Sequence, residues 1–226
     1  IFKEKELPPI VVVSNGIEVG TLQARFESVD RDKVREAYGY RDADLVVLSL
    51  CRLIPVKGIH ILIEAFAMAS QQVPELRLLV AGAGDPDYVE TVKARVSALG
   101  LESKVLFIGN QSMIEKPLRA GDIFAAPYLW PEAFGLSVLE AMAVGLPVVG
   151  SISGGIVELL GDGKYGLLFD RENVEDLAVC LVRYARNATL RREMGQAARQ
   201  AALRYTSLEM CERIQAVYEN VLAGKV

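Results

Sequence analysis

From residue 45 onward the hydrophobic positions fall into short, nearly continuous runs, separated by longer stretches in which apolar residues recur every three or four positions. The runs at 45–51, 76–82, 104–109, 123–127, 147–150 and 166–169 are mostly Val, Leu, Ile and Ala, which suits strands covered on both faces. The stretches between them predict helices over 58–72, 87–99, 113–120, 135–144 and 156–160. In the first of these, Ile59, Leu62, Ile63, Phe66 and Ala67 share one stripe while Glu64 and Gln71 turn away. Such alternation is the rhythm of βα units around a parallel sheet.

The rhythm ends at Phe169. Beyond it only helical patterns remain, over 174–187, 190–205 and 207–222, with Ser207 expected to cap the last and Glu209 in its first turn. The first 44 residues are less regular: a polar start, an apolar stretch at 9–13, an Asn15-Gly16 turn signal and a short helix at 31–38. The expected fold is α/β, a doubly wound, Rossmann-like parallel sheet with a helical C-terminal tail. It divides into a linker segment (1–26), the sheet domain (27–205) and a C-terminal helix (206–226).

Composition narrows the function classes. With 226 residues, 51% of them hydrophobic, the chain can bury a sizeable core. The net charge is −4 and the signs are mixed along the sequence, so no basic stripe points to nucleic acid as a partner. Cys51, Cys180 and Cys211 are an odd, widely spaced set, which argues against a disulfide framework and for a reducing compartment, the cytoplasm. Cys51 is expected as a buried strand residue. No apolar run approaches the roughly 20 residues that a spanning helix needs, and membrane contact is left open. The chain opens at Ile1 rather than methionine, which suggests a piece of a longer protein.

In open parallel sheets ligands bind beyond the carboxyl ends of the strands, so the candidate chemistry lies in the loops that follow them. After the first strand, Arg52 and Lys57 place a planar fork and a mobile point charge in one short loop, a pair suited to a diphosphate. Gly58 follows and is expected to let backbone approach the ligand. After the second strand comes Gly82-Ala83-Gly84, which lacks the third glycine of a dinucleotide fingerprint because Asp87 stands there. These glycines are expected to allow a tight turn and close approach to the ligand. Asp85-Pro86-Asp87 reads as a helix start rather than a metal site, and Asp42-Ala43-Asp44 as a polar turn. His60, the only histidine, reads as a surface or satisfied helix residue.

The most informative loop runs from Pro131 to Gly135 and into the helix carrying Glu140. A helix start exposes unpaired N–H groups and a partial positive charge, so the Phe134-Gly135-Leu136 backbone suits a phosphate. Glu132 and Glu140 flank it, separated by about 10 Å or more along the helix axis. Carboxylates accept hydroxyl donors. A ligand with hydroxyls at both ends and phosphates between them, such as a nucleoside-diphosphate sugar, fits that span.

Together these segments resemble the nucleotide-sugar half of retaining glycosyltransferases of the GT-B fold, the group 1 family. The markers, in order, are Asn15-Gly16-Ile17-Glu18, Arg52 to Gly58, Gly82 to Gly84, Phe107-Ile108-Gly109, Pro131 to Gly135 with Glu140, Gly145 to Pro147, and Gly154-Gly155 with Glu158. The resemblance runs from about Val11 to Leu222. It implies that Arg52 and Lys57 hold the donor diphosphate, with Gly58 and Gly84 close by. It puts Glu132 on the donor sugar and Glu140 on the ribose. Ala133, Phe134, Gly135 and Leu136 would meet sugar or phosphate, and Asn110 and Met113 would lie beside the base. Glu132, Arg52 and Lys57 would carry the catalytic work, without a metal or cofactor, the nucleotide sugar being the substrate. A glycine usually precedes the matching arginine in that family; here Cys51 does.

The resemblance further implies that the family's N-terminal domain, with the acceptor site, is missing from this chain. The implied function is donor binding for hexosyl transfer, the isolated chain being inactive. The alternatives are a nucleotide-sugar epimerase or hydrolase of the same fold, or a non-catalytic nucleotide-sugar binding module.

Overall fold

A computed structural model describes residues 10–224 of the chain; the polar start of the linker segment, through Pro9, lies outside the described residues. Six strands form one sheet: β1 (Leu45–Leu50), β2 (Leu76–Ala81), β3 (Val105–Phe107), β4 (Ile123–Ala126), β5 (Val148–Ser151) and β6 (Leu167–Phe169). Their order is β3-β2-β1-β4-β5-β6 and every pairing is parallel.

The described residues also form ten α-helices: α1 (Val19–Ser28), α2 (Arg31–Ala37), α3 (Ile59–Gln72), α4 (Pro86–Ala98), α5 (Glu115–Ala120), α6 (Leu136–Ala143), α7 (Gly155–Leu159), α8 (Val174–Arg186), α9 (Ala188–Ala202) and α10 (Ser207–Leu222). Because side chains alternate across a strand, each strand feeds two cores. Val46, Leu48, Leu79, Ala81, Phe124 and Ala126 pack with α1, α5, α6, α7 and α9. Val47, Leu78, Val80, Ile123 and Ala125 pack with α3, α4 and α8. That double burial is why the strands read as continuous apolar runs rather than alternating ones.

Several sequence expectations are corrected here. Residues 19–28 form a regular helix, α1, which the irregular reading of the N-terminal segment did not include. Only Val19, Leu22 and Phe26 give it an apolar stripe, and Val19 and Leu22 are buried. The division between 26 and 27 falls inside α1. The cap of α10 is Thr206, whose hydroxyl accepts from the Glu209 N–H at 3.1 Å, and not Ser207, whose hydroxyl donates to Glu18. Ile17 bridges to Thr206, tying the approach to α1 against the junction before α10. The turn expected at Asp42-Ala43-Asp44 is present, closed by the Asp44 N–H donating to the Arg41 carbonyl at 3.0 Å, and Asp44 has a further role. It is buried, accepts from the Arg41 N–H at 2.8 Å, and pairs with Arg77 at 2.9 Å.

The position of the site follows from the strand order. From β1 the sheet grows through β2 to β3 on one side, and from β4 through β5 to β6 on the other. The loops after β1 and β4 therefore part at a crevice above the sheet, where open α/β sheets bind ligands.

Candidate active site

A cavity of about 510 Å³ occupies that crevice. Of the residues singled out in the sequence, Arg52, Lys57, Asn110, Glu132, Ala133, Phe134, Gly135, Leu136 and Glu140 all line it. The loops are brought together by backbone. Leu53 donates its N–H to the Ala83 carbonyl at 3.0 Å and accepts from the Asp85 N–H at 3.0 Å, so the loops after β1 and β2 continue the sheet for a residue.

Three residues expected at the ligand do not line the cavity. Gly84 forms the bridge to Leu53, and a Cβ there would sit 2.1 Å from the Leu53 carbonyl oxygen. Gly58 has φ of +67°, and its missing Cβ would lie 1.9 Å from the carbonyl oxygen of Pro127. Both glycines therefore bring loop against loop. Met113 is 49% exposed and borders a neighbouring depression with Arg25 and Ser28. Its helix starts later than expected, at Glu115, and Ile114 lines the cavity where Met113 does not.

Lys57 ends a short 3₁₀ turn, Pro55–Lys57, and its ammonium donates to the Glu132 carboxylate across the crevice. The same ammonium stands 4.0 Å from the centre of the Tyr128 ring. Arg52 is exposed at the rim, and its guanidinium has no hydrogen-bond partner among the described residues. The two cations thus differ: one is already neutralised by a carboxylate and the other is available.

The segment carrying Glu132 is held at successive carbonyls. Ser151 Oγ donates to Tyr128 O at 2.6 Å, Arg171 to Leu129 O at 3.1 Å, Ser153 Oγ to Trp130 O at 2.8 Å, and the Gly155 N–H to Glu132 O at 2.7 Å. Gly154, at φ of +52°, makes the last approach possible, because a Cβ there would lie 2.3 Å from the Glu132 carbonyl oxygen. The Gly154-Gly155 marker is thus a support for Glu132.

Gly135, at φ of +102°, leads into α6 with no side-chain cap. Val138 and Leu139 N–H groups turn back to the Gly135 carbonyl at 3.0 Å, while the N–H groups of Gly135, Leu136 and Ser137 find no acceptor among the described residues. Phe134 fixes this start by packing edge-on against Tyr205, the ring centres 5.5 Å apart. Open amides and the helix dipole give this point of the cavity a partial positive charge.

Glu140 lies one helical turn further in and is half-buried. Burial, and secondarily the charge of Glu115, push its carboxyl up to about 7. Glu115 is itself buried and meets Arg25 at 3.5 Å. Cys51 follows β1 instead of lying within it, lines the cavity, and has its thiol pushed up to about 11 by burial. His60 is satisfied: Nδ1 is 2.8 Å from the Tyr88 hydroxyl. Asp85 caps α4 by accepting from the Tyr88 N–H at 3.0 Å.

Asn15, Gln111, Ile114 and Tyr128 also line the cavity and were not singled out as site residues. Tyr128 stands directly after the β4 run, where the rule about loops beyond strands could have found it. Asn15 belonged to a marker but reads locally as a turn.

Fold and crevice define a doubly wound α/β domain with a cleft at its topological switch point. The chain belongs to the group 1 glycosyl transferases, whose family profile matches residues 30–201. Among curated relatives it is 36% identical over 161 residues to mannosylfructose-phosphate synthase of Agrobacterium fabrum, covering 68% of this chain and 35% of that protein. It is 35% identical over 181 residues to the GDP-mannose-dependent alpha-(1-6)-phosphatidylinositol monomannoside mannosyltransferase of Mycolicibacterium smegmatis, covering 76% and 47%. The chain therefore spans half or less of the length of these two relatives.

A crystal structure of HepE from Anabaena in complex with UDP and glucose superposes with a TM-score of 0.83 at 28% identity, over 92% of this chain and 56% of that one. The C-terminal domain of a group 1 family glycosyl transferase from Francisella tularensis shares the fold, with a TM-score of 0.73 at 23% identity, over 83% of this chain and 97% of that domain. No helix among the described residues is long and apolar enough to cross a membrane.

Proposed function

We propose that this chain is the donor-binding half of a retaining glycosyltransferase, moving a hexosyl group from a nucleoside-diphosphate sugar to an acceptor held by an N-terminal domain outside these 226 residues. The observation that carries this reading is the order of groups along one cleft. The Lys57–Glu132 pair, the available Arg52 and the open amides at Gly135 to Ser137 stand together, with Glu140 beyond them. The bound UDP and glucose of the HepE structure and the GDP-mannose dependence of the mycobacterial relative support it. The named relatives are synthases and transferases, which favours transfer over the epimerase, hydrolase and non-catalytic readings.

In this reading Arg52, Lys57 and the start of α6 bind the diphosphate and stabilise the charge that grows on it as the bond to the sugar's anomeric carbon breaks. The diphosphate replaces Glu132 as the counter-charge of Lys57. Glu132, released, accepts hydroxyl donors from the hexose, while Glu140 receives the ribose and Asn110 stands beside the base. Lys57→Ala is expected to weaken binding of the matching nucleoside diphosphate at least about tenfold, the cost of losing a charge-assisted hydrogen bond. Calorimetry with UDP, GDP and ADP checks this. Affinity unchanged by the substitution, for a nucleotide the parent chain binds, would sink the assignment.

A further inference from the structure

The Tyr128 side chain does more in this site than fill space. It is almost completely buried beneath the cavity, and it is tied at both ends. Its carbonyl accepts from Ser151 Oγ at 2.6 Å, and its hydroxyl is 2.8 Å from Oγ of Ser137, in the first turn of α6. The ring so fixed presents its face to the Lys57 ammonium, 4.0 Å from the centroid. One side chain therefore links the lysine of the β1 loop to the helix start that offers the open amides.

The consequence appears when the counter-charge changes hands. Lysine is a compact charge on a flexible stem. In the ligand-free cleft Glu132 holds it on one side and the aromatic face on the other. A phosphate that takes Lys57 from Glu132 removes the first restraint and leaves the second. The negative face of an aromatic ring attracts a cation more strongly the less water reaches it, and the Lys57 side chain is only 17% exposed; a group already in place also binds without the cost of ordering it.

We propose that Tyr128 is a positioning residue for donor binding: its ring holds the Lys57 ammonium at the phosphate side of the cleft when the diphosphate displaces Glu132. This rests on the donor-binding reading above. The alternative role for a buried tyrosine is core packing alone, which would act on the whole fold and not through Lys57.

The test is a double-mutant cycle on the 226-residue chain, read by calorimetry with whichever of UDP, GDP and ADP binds most tightly. Tyr128→Leu is expected to weaken binding about five- to tenfold, between the exposed and the desolvated scales of a cation–π attraction. Tyr128→Phe, which keeps the ring, should recover most of that loss. In a Lys57→Ala background Tyr128→Leu should add almost nothing. An equal loss in both backgrounds, or none in the parent, overturns the role of Tyr128. If Lys57→Ala binds the nucleotide as the parent does, the donor-binding reading itself fails, a separate outcome. Should Tyr128→Leu not fold, phenylalanine carrying one, two or three ring fluorines at position 128 replaces it. Affinity falling stepwise with fluorine number supports the proposal, and affinity indifferent to fluorination overturns it.

Discussion

The two ends of the cleft use the same side chain in opposite surroundings. Glu132 sits on a loop pinned by backbone hydrogen bonds and faces an ammonium; Glu140 sits on a helix, with another carboxylate, Glu115, as its charged neighbour. One carboxylate is positioned by an opposite charge and the other is pushed toward its neutral form. The difference shows that residue type and spacing alone do not set the chemistry of a glutamate in this cleft. What packs against it does.

The largest effect should come from breaking the support of the Glu132 end. Gly154→Ala places a Cβ 2.3 Å from the Glu132 carbonyl oxygen in a backbone conformation that L side chains seldom adopt. We expect a loss of about 2–3 kcal/mol in urea unfolding, together with weaker nucleotide binding. A variant as stable as the parent would show that the Gly154 turn gives way easily and that the Glu132 end is not pinned.

The Glu140 end should reveal itself through pH. Its carboxyl titrates near its ordinary 4.5 in the unfolded chain and at about 7 when folded. Between those values the folded protein holds a proton that the unfolded chain has released, so stability falls as pH rises through that window. The contribution is complete below 4.5 and gone above 7. Glu140→Gln removes the slope, and the variant should gain roughly 1–3 kcal/mol on the parent between pH 4.5 and pH 8. Parallel stability curves for parent and variant would place Glu140 in water and not in a buried site.

The smallest effect sharpens the contrast. Glu132→Gln frees Lys57 from its carboxylate, so a nucleoside diphosphate no longer competes for it. Calorimetry should show NDP binding about three- to fivefold tighter, the scale of a partly exposed ion pair. Binding weakened by the change would mean that Glu132 helps hold the nucleotide instead of guarding Lys57.

Much of the fold was legible because its signals are local. Strands such as 76–81 are apolar over nearly their full length, and the helix over 59–72 repeats its stripe every turn. Helix α1 was not legible: four apolar residues in ten, with Ala24 off the stripe, carry little periodicity, and its place depends on packing against α5 and α6. Nine of the twelve residues singled out for the site do line the cavity, since they follow a strand, start a helix or, like Glu140, lie one turn inside it. Gly58, Gly84 and Met113 do not, because a glycine in a loop says that something comes close without saying whether it is ligand or chain.

The sequence by itself determined the parallel α/β architecture, the loops that carry the site, and its cations and carboxylates, because periodicity and strand-end position are properties of short stretches. Tertiary structure alone decided the pairings: Lys57 with Glu132, 75 positions away, the Tyr128 ring beneath Lys57, and Glu115 beside Glu140. Those pairings form only when the sheet brings separate loops to one crevice, and charge and burial act through distance in space rather than along the chain.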